Sequence, residues 1–394
     1  MNTHELIRLT DDLTEVVARS PHNRRRFNHI HYIINTIAGG VARRGRFHAS
    51  HDAIRAWLAR NAKDAADGVS PADDTSGASG APAASGISAT SGGSGASGTA
   101  SAVDVSGSPP TRSVHLTEHP GHASDIAASI LDNPESERQL IVSIGGDGTH
   151  REVLSAVAER VDVKVGANGR NVCVFRMPMG TGNDGADAVD AADACRQLHF
   201  GVPVNNTGIV RVTPTGMRPM FAFNVTSIGI DAYVTDTSNK LKAAFPGDMY
   251  KVIADAATLF YEPVFGVGEV GLTLTDDDGV ESRYQDRYIL VAVGPTGHRH
   301  YGNGKRILPS DANLCAIRTV GLLKKIAMKK HVYEGSHVGL PGTLSACVTK
   351  VVVEYQRRVP LQLDGEGVWL EPQNFPLTFE RVDSAITVLH AGGA

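Results

Sequence analysis

Two glycine-rich turns, each containing an aspartate, are the segments of this sequence best suited to chemistry on phosphate groups. The first is GGDGT at residues 145–149, and the second is GTGND at residues 180–184. Each turn follows a short apolar run and precedes apolar residues at helical spacing. Such a turn directs backbone N–H groups and the positive end of a helix at one point, which favours the binding of phosphate. An aspartate inside the turn, Asp147 in the first, fits if Mg²⁺ lies between its carboxylate and the phosphates.

The segments around each turn indicate which elements would position these groups. Residues 140–144 form an apolar run rich in β-branched side chains, and residues 172–175 form a second apolar run. Both runs are typical of buried strands, and helical spacing follows from His150 and again over 186–198. The order of strand, turn and helix therefore occurs twice in close succession. This repetition indicates a phosphate site much more specifically than one turn alone.

Composition excludes several classes of function. The chain has 394 residues, of which 41% are hydrophobic and 20% charged, so it can bury a large core and hold two domains. A net charge of −4 and a pI near 6.5 argue against a general nucleic-acid binder, which would usually be basic. The four cysteines are widely spaced without a CxxC or zinc pattern, which is typical of reduced thiols in a cytoplasmic protein. No apolar run reaches the roughly 18 residues that suggest a membrane span, and the first residues lack the apolar core of a signal peptide.

Changes in composition along the chain predict an N-terminal helix followed by two domains. Apolar residues recur at helical spacing over 4–19, within an N-terminal segment 1–28. We expect an α/β domain over 29–200, interrupted at about 61–112 by a disordered insertion of small and polar residues. Short alternating strands predominate over 201–394, which is typical of an antiparallel β-sandwich-like domain. We expect the last residues of the chain to return to the first domain.

Three motifs together carry a resemblance to a known family. GGDGT at 145–149 and GTGND at 180–184 are accompanied by an Asp-Gly-Glu turn at 364–366, which follows an apolar strand. This combination resembles the catalytic domain shared by diacylglycerol kinases, sphingosine kinases and related bacterial lipid kinases, over about residues 29–390. The resemblance implies an α/β N-terminal domain of the NAD kinase and diacylglycerol kinase type and an antiparallel β-sandwich-like C-terminal domain. It also implies an active site in the cleft between the two domains.

The function that this resemblance implies is ATP-dependent phosphorylation of a membrane lipid. Such an enzyme uses Mg²⁺ and transfers the γ-phosphate of ATP to a lipid hydroxyl, converting diacylglycerol to phosphatidic acid in the first instance and a sphingoid base in the second. It would be cytoplasmic and would contact the membrane surface transiently, and a homodimer is left open. The alternatives are an NAD kinase, which shares GGDGT, and a non-catalytic lipid-binding relative. A dehydrogenase is disfavoured because the GxGxxG match at 180–185 lacks an acidic residue about twenty positions further on.

By the same resemblance, the nucleotide contacts come from turns that follow strands of the first domain. Asn35 and Gly39 keep two positions of the family motif Asn-Pro-x-Ser-Gly, in which this chain has Thr36 and Ala38. We expect the turn to form, although the change to Ala38 removes one hydroxyl contact. The predicted ATP contacts are Asn35, Gly39, Thr117, Gly145, Gly146, Asp147, Gly148, Thr149, Glu152, Gly180, Thr181, Gly182 and Asn183.

Two of these residues also have a structural interpretation. Thr117, in the turn TEHPGHA, offers its hydroxyl to the nucleotide by resemblance, or it caps the helix predicted over 123–131. Glu152 matches the acid of the family motif GDGTxxEV near the nucleotide, and its spacing also suits a capping box with Thr149. Both roles of Glu152 are compatible with each other.

Two acids of the C-terminal domain complete the predicted catalytic site. By resemblance Glu366 accepts the proton of the acceptor hydroxyl, and Asp364 lies on the same turn as a further catalytic carboxylate. Asp147 serves the metal, together with the ATP phosphates, or else the acceptor hydroxyl. Phosphoryl transfer requires a carboxylate to accept the hydroxyl proton, and the sequence leaves open which of these acids is the base.

The remaining predicted contacts concern the lipid and its phosphate. Asp231 matches the acid that contacts the lipid head group in sphingosine kinases, and Lys240 and Lys251 are candidate phosphate contacts, with solvated side chains as the alternative. Residues 313–316 replace the Asp-Asp-Gly that supports a structural Mg²⁺ in bacterial diacylglycerol kinases, so we expect no second metal. Residues 320–331 predict a basic amphipathic helix, which either lies in a lipid interface or covers the sandwich.

Overall fold

A computed structural model describes most of the chain and leaves several predictions outside its scope. Most of the predicted insertion and the predicted contacts Thr181, Gly182 and Lys251 lie outside the described residues. The flanks of that insertion are ordered, because a helix extends to Ala66 and a strand begins at Thr111. The described residues are 2–66, 108–132, 138–163, 172–180, 183, 185–244, 261–262, 266–301 and 305–391.

The first part of the fold is a parallel sheet whose strands end at one common edge. Its order is β2-β1-β3-β4, and in its register Ile34 pairs with Ile144 while Gly145 pairs with Pro178. Because the strands are parallel, the turns that follow β1, β3 and β4 lie side by side. Every residue of β3 is buried, as expected for a central strand covered on both faces. The strands are β1 His29–Ile34, β2 Thr111–Leu116, β3 Gln139–Gly145 and β4 Val172–Pro178.

Helices cover both faces of this sheet. The predicted N-terminal helix is confirmed: α1 begins after a capping box formed by Asn2 and Glu5, and its apolar stripe is buried in the same core as α4 and α7. Helices α5 and α6 pack together on the opposite face, in a second core. The helices are α1 Thr3–Arg19, α2 Asn23–Arg26, α3 Gly39–Ala42, α4 Arg44–Ala66, α5 His122–Asp132, α6 Asp147–Val163 and α7 Ala191–Phe200.

The second part of the fold consists of two antiparallel layers with an apolar core between them, which confirms the predicted sandwich. One layer contains β5 Val202–Pro214, β6 Met220–Ala222, β8 Val270–Thr275, β9 Glu281–Asp286, β15 Lys350–Glu354 and β18 Leu377–His390. The other contains β7 Thr226–Gly229, β10 Tyr288–Val293, β13 Leu314–Arg318, β14 Thr343–Ala346, β16 Val359–Leu363 and β17 Glu366–Leu370. Among the described residues, this part also contains a two-stranded ribbon, two helices and one 3₁₀ turn: β11 Arg299–Tyr301, β12 Lys305–Leu308, α8 Ile230–Ala244, α9 Leu322–Glu334 and Pro372–Asn374.

The final strand links the two parts of the fold. Strand β18 pairs with β5 and β15 as an antiparallel neighbour, and Val388 pairs in parallel with Val174 of β4. One sheet therefore continues from the parallel strands into the sandwich, in the order β2-β1-β3-β4-β18-β15-β8-β9. This continuity fixes the position of the sandwich relative to the edge where the glycine turns lie.

Some element boundaries differ from those predicted. The helix expected from residue 186 begins at Ala191, because the Asp190 side chain caps it by accepting bonds from Ala192 and Asp193. In the second half, the spacing around 241–260 predicts a helix; the structure has a helix that begins earlier, at Ile230, and residues 245–260 lie outside the described residues. Alternation in the second half predicts strands over 207–212, 220–225, 269–274, 284–293, 348–354 and 359–363, and these correspond to β5, β6, β8, β10, β15 and β16. Strands β7, β11, β12, β13, β14, β17 and β18 were not predicted.

Helix α9 covers the sandwich through the side chains that can be described. Met328 and Val332 pack against the apolar cluster around β10 and β13, whereas Lys324, Lys329 and Lys330 are exposed. The described contacts therefore favour the covering role over the lipid interface. None of the described helices combines the length and apolarity that crossing a bilayer demands.

Candidate active site

The first glycine turn is closed by a threonine that folds back over it. A Cβ atom on Gly145 would lie 2.6 Å from Oγ1 of Thr149, so only glycine fits between β3 and this side chain. The Nδ2 of Asn35 donates to the same Oγ1 at 2.9 Å, and the backbone N–H of Asn35 donates to the carbonyl of Ile144 at 2.9 Å. The turns after β1 and β3 are therefore tied together, as the shared sheet edge requires.

Asp147 connects the first glycine turn to the second. Its Oδ1 accepts a hydrogen bond from the N–H of Gly185 at 2.9 Å, although the two residues belong to different turns. Within the second turn, the N–H of Gly180 donates to Oδ1 of Asn183 at 2.8 Å. The described acids and glycines of the two turns therefore lie around one point, at the edge where the parallel strands end.

Gly40 makes a close approach that sequence reasoning missed. Its N–H donates to the carbonyl of Met179 at 3.0 Å, and a Cβ atom there would lie only 2.7 Å from that oxygen. Gly39, the predicted contact, is the first residue of α3. The pair of adjacent glycines was the available signal, because helix α3 can pack this closely on the second turn only without a side chain.

A buried ion pair holds the end of the second turn. Asp187 accepts from the backbone N–H of Arg176 at 2.6 Å, and from its Nε and Nη2 at 3.1 and 2.6 Å. The side chains are only 7% and 15% exposed. The two guanidinium N–H groups share Oδ1 and the backbone N–H binds Oδ2, so the carboxylate joins strand β4 to the chain that leaves the glycine turn. A charged Arg176 within an otherwise apolar strand was the signal in the sequence.

Glu152 binds the start of a neighbouring helix. Its two carboxylate oxygens accept from the N–H groups of Gly121 and Ala123 at 2.9 and 3.2 Å, at the beginning of α5. The interpretation of Glu152 as a capping-box partner of Thr149 is therefore wrong, because both oxygens serve another helix. Thr117 lies at the end of β2, and α5 begins only at His122, so its interpretation as the cap of that helix is also wrong.

The Asp-Gly-Glu turn connects β16 to β17 as a tight hairpin. Asp364 and Gly365 have φ angles of 49° and 97°, the pattern of a two-residue turn with both residues in the left-handed region. The Asp364 carboxylate accepts bonds from the N–H groups of Phe223, Asn224 and Val225 at 2.7, 2.9 and 3.0 Å. Burial raises the pKa of this carboxyl, although the three donors act in the opposite direction. A catalytic role for Asp364 stays a prediction, and these bonds favour a positioning role.

Glu366 lies beside the first glycine turn. Its Oε1 is 3.8 Å from the position that a Cβ atom on Gly148 would occupy. The side chain is exposed and accepts no hydrogen bond from the described residues. The turn between β16 and β17 therefore faces the first turn of α6 across a gap that Asp147 also borders.

The predicted lipid contact Asp231 is buried near Tyr301, whose hydroxyl lies 3.8 Å from the position of a Cβ on Gly365 of the hairpin. Its Oδ2 accepts from the hydroxyl of Ser227 at 3.1 Å, and its Oδ1 lies 3.5 Å from Nζ of Lys305. The hydroxyl groups of Tyr301 and Thr235 are hydrogen-bonded at 2.9 Å. Burial, together with the charge of Asp231, raises the pKa of the Tyr301 phenol well above its usual value. The contacts of Lys305 and Tyr301 were not predicted because they join residues far apart in sequence, whereas Ser227 lies only four residues before Asp231.

Helix α8 supports the hairpin from the other side. Asn239 donates to the carbonyl of Gly365 at 2.8 Å, and the Nε1 of Trp369 in β17 donates to Asp236 at 3.2 Å. Lys240, a predicted phosphate contact, is exposed and forms an ion pair with Asp236 at 2.6 Å. The lysine is thus placed at the rim of the hairpin on an exposed helix face.

The described residues suit a magnesium ion bound mainly through a substrate. No three His, Cys, Asp or Glu side chains cluster to hold a metal within the part of the chain that the structure describes. Asp147 has one oxygen bonded to Gly185, and its other oxygen accepts no hydrogen bond from a described residue. Mg²⁺ is usually held by one or two carboxylates together with substrate phosphates, so this donor set fits the ion.

Comparisons with known proteins identify the same two parts. The family model described as the diacylglycerol kinase catalytic domain matches residues 90–205, and that of the YegS C-terminal NAD kinase beta sandwich-like domain matches residues 224–390. YtlR of Bacillus subtilis strain 168, named as a candidate lipid kinase, is 24% identical over 276 residues, which are 65% of this chain and 83% of YtlR.

Solved structures share the fold at lower identity. A diacylglycerol kinase from Bacillus anthracis strain Sterne is 15% identical, with a TM-score of 0.51, and the match covers 93% of this chain and 97% of that one. A second structure from that strain, named as a candidate diacylglycerol kinase, is 16% identical with a TM-score of 0.53 and covers 93% and 98% of the two chains. Because the two matched domains together account for well over half of the chain and contain both glycine turns and the Asp-Gly-Glu hairpin, this protein belongs to the diacylglycerol kinase-like family of lipid kinases.

Proposed function

We propose that this protein transfers the γ-phosphate of ATP to a hydroxyl group of a membrane lipid. Diacylglycerol is the first acceptor that we propose, and a sphingoid base is the second. The observation that carries the proposal is the position of Glu366 beside Gly148, on the gap that Asp147 borders. Phosphoryl transfer depends mainly on positioning and charge neutralisation, and an acid on each side of one nucleotide site would serve both.

ATP would bind with its phosphates against the two glycine turns. The N-terminal turn of α6 provides backbone N–H groups and the positive end of the helix dipole at this point. The bond from Gly185 to Asp147 keeps the second turn against the first, so both turns act on the same anion. Asn35 and Thr117 border the site at the ends of β1 and β2, and Thr181 and Gly182 remain predicted contacts.

Asp147 would hold Mg²⁺ together with the nucleotide phosphates. Its oxygen that accepts no described hydrogen bond is the donor available for the ion. When bound, the ion neutralises negative charge on the transferring phosphoryl group.

Glu366 would accept the proton of the lipid hydroxyl. Its carboxylate is exposed and accepts no bond from the described residues, so it is free to approach an acceptor that enters the gap. Asp364 fixes the hairpin from below through its three backbone donors. We therefore assign proton transfer to Glu366 and orientation of the turn to Asp364.

The lipid head group would enter from the side of the sandwich. Asp231 lies buried behind Tyr301, close to the hairpin that carries Glu366, and Lys240 borders the same hairpin on α8. A lipid acceptor requires the protein to meet a membrane surface, so we propose transient peripheral contact rather than insertion.

A lipid panel with labelled ATP tests the proposal. Purified protein with Mg²⁺ is incubated with dispersed diacylglycerol, a sphingoid base or NAD, and wild type is compared with Asp147→Asn and Glu366→Gln. We expect labelled lipid from wild type and losses above about a hundredfold in both variants. Asp278→Asn, in the exposed turn between β8 and β9, is the matched control and should be fully active.

Other outcomes would overturn the proposal. Labelling of NAD alone would make the protein an NAD kinase. Binding of lipid without consumption of ATP would make it a non-catalytic relative.

A further inference from the structure

Two arginines at the junction of the two domains lack acidic partners. The Nε of Arg151, in α6, is buried and has no hydrogen-bond partner. Arg299, in β11, is half-buried and donates from Nε to the hydroxyl of Thr296 at 3.0 Å, but it forms no ion pair with a described carboxylate. The nearby Arg176, by contrast, is fully paired with Asp187. A guanidinium N–H that is buried without an acceptor is unfavourable, and the nearby carboxylate of Asp364 already accepts three backbone bonds, which indicates that a further anion completes the site.

Arg151 faces the second domain. It lies one helical turn beyond Asp147 on α6, on the face that includes Gly148, and Gly148 borders Glu366. Helix α6 also packs on β6, whose next residue is Phe223, a donor to Asp364. The positive charge of Arg151 accordingly lowers the pKa of Asp364, against the effect of burial.

Arg299 approaches the same hairpin from the second domain. The carbonyl of the next residue, His300, accepts from Nδ2 of Asn224 at 2.9 Å, and the N–H of Asn224 donates to Asp364 at 2.9 Å. Burial lowers the pKa of Arg299, Arg176 lowers it further, and Asp364 raises it. Arg151 and Arg299 thus approach one carboxylate from the two domains, and that carboxylate already accepts three backbone bonds.

We propose that Arg151 and Arg299 form a phosphate subsite that spans the two domains beside the Asp-Gly-Glu hairpin. Guanidinium groups bind phosphate oxygens in a bidentate manner, and two of them facing one gap suit a phosphoryl dianion. The inference rests on the proposed function, since the phosphate is either the terminal phosphate of the nucleotide or that of the phosphorylated lipid.

Binding of two phosphate probes tests the subsite without catalysis. Tripolyphosphate binding is measured by calorimetry, and lipid binding is measured with phosphatidylcholine vesicles with and without phosphatidic acid. The variants are Arg151→Gln and Arg299→Gln, and the control is Arg283→Gln on the exposed edge strand β9. We expect each variant to bind at least one probe about tenfold more weakly, because each loses one charged hydrogen bond to the phosphate. The control should bind both probes as wild type does.

The probes separate the two sources of phosphate. Weaker tripolyphosphate binding assigns the subsite to the nucleotide, and a loss confined to phosphatidic acid vesicles assigns it to the lipid product. Unchanged binding of both probes in folded variants would overturn the proposal. Wild-type protein that binds tripolyphosphate through these arginines but phosphorylates no lipid would leave the subsite standing and remove the proposed function.

A second measurement covers variants that fail to fold. Wild-type protein is labelled with phenylglyoxal, and the modification of Arg151 and Arg299 is followed by mass spectrometry with and without both probes. We expect protection of both arginines by at least one probe and no protection of Arg283. Equal labelling in the presence and absence of both probes would contradict the subsite.

Discussion

Glu366 and Gly148 face each other across the gap between the two matched domains, with the Oε1 of Glu366 3.8 Å from the place of a Cβ on Gly148. We expect Gly148→Ala to lower lipid phosphorylation at least tenfold, because the methyl group enters the gap that a phosphoryl group would fill. Gly148 lies in the first turn of α6, so the same change should raise the free energy of unfolding by about 0.5–1 kcal/mol.

Gly45→Ala is the matched control for this prediction. Gly45 is exposed in the first turn of α4, and nothing lies within 4 Å of its added Cβ. The control should gain similar stability in urea unfolding and keep full activity. Full activity of Gly148→Ala would show that the gap does not hold the reacting groups.

Asp364 should matter for stability as well as activity. Removing its carboxylate leaves three backbone N–H groups of residues 223–225 without their acceptor, so Asp364→Ala should lower the free energy of unfolding by about 3 kcal/mol or more. Asp364→Asn should cost about 1–2 kcal/mol, because it keeps one acceptor oxygen and tolerates the positive φ angle. Urea unfolding of both variants and of the control Asp278→Asn measures the differences. Asp364 variants as stable as Asp278→Asn would refute the three bonds to the Asp364 carboxylate.

The sequence predicts the first glycine turn because its signals are local. The β-branched run, the glycines and the helical spacing lie within one short segment, and β3 and α6 confirm them. The fold class is confirmed for a related reason, since strand alternation in the second half requires only neighbouring residues. Length does not decide which strands are recognised, because β15 and β16 have five residues each and were predicted, whereas β18 has 14 residues and was not. The charged residues Glu380, Arg381 and Asp383 interrupt the apolar pattern of β18.

The contacts that assemble the site depend on distant pairs and could not be predicted. The Asp364 carboxylate binds residues around Asn224, and Asp187 binds Arg176 across the second turn. No period or local propensity connects such residues, because the fold brings them together only after the sheets have formed. Glu152 illustrates the same limit: its acidic type was recognised, but its partners on α5 were not.

The pair of Arg176 and Asp187 should fix the second glycine turn. Asp187→Asn leaves the buried guanidinium of Arg176 without its charge partner, which should destabilise the fold by about 3 kcal/mol. The KM for ATP should rise several-fold because the turn loses its anchor. The double variant Arg176→Gln with Asp187→Asn should recover part of the stability.

An exposed ion pair serves as the comparison. Glu334→Gln removes the partner of Lys330 on α9 and should change stability by less than about 0.5 kcal/mol. Thermal unfolding of wild type, Asp187→Asn, the double variant and Glu334→Gln measures stability, and ATP titrations of the same proteins measure KM. An Asp187→Asn variant as stable as Glu334→Gln would contradict the role of the buried pair.

His150 should make the fold sensitive to acid. Burial lowers its pKa to about 3, whereas an unfolded histidine titrates near 6.5. Between these values the unfolded chain binds more protons, so this group stabilises the fold above about pH 6.5 and the stability is lost as the pH falls. His150→Asn, which can keep a bond to Ser143, should reduce the loss between pH 6.5 and pH 4.5 by about 2 kcal/mol.

Unfolding in urea at several pH values measures this slope. The exposed His4 provides the control variant His4→Asn, which should leave the slope as it is in wild type. Parallel slopes for wild type and His150→Asn would rule out the buried histidine as the source of acid sensitivity.

The central claim is that Asp147 and Glu366 act on one phosphoryl group from two domains. A double-mutant cycle of single-turnover phosphorylation with Asp147→Asn, Glu366→Gln and the combined variant tests it most directly. Groups that serve one transition state are not additive, so we predict that the combined variant loses no more than about tenfold beyond the worse single variant. Losses that multiply, or single variants as active as wild type, would show that the two acids do not share a site.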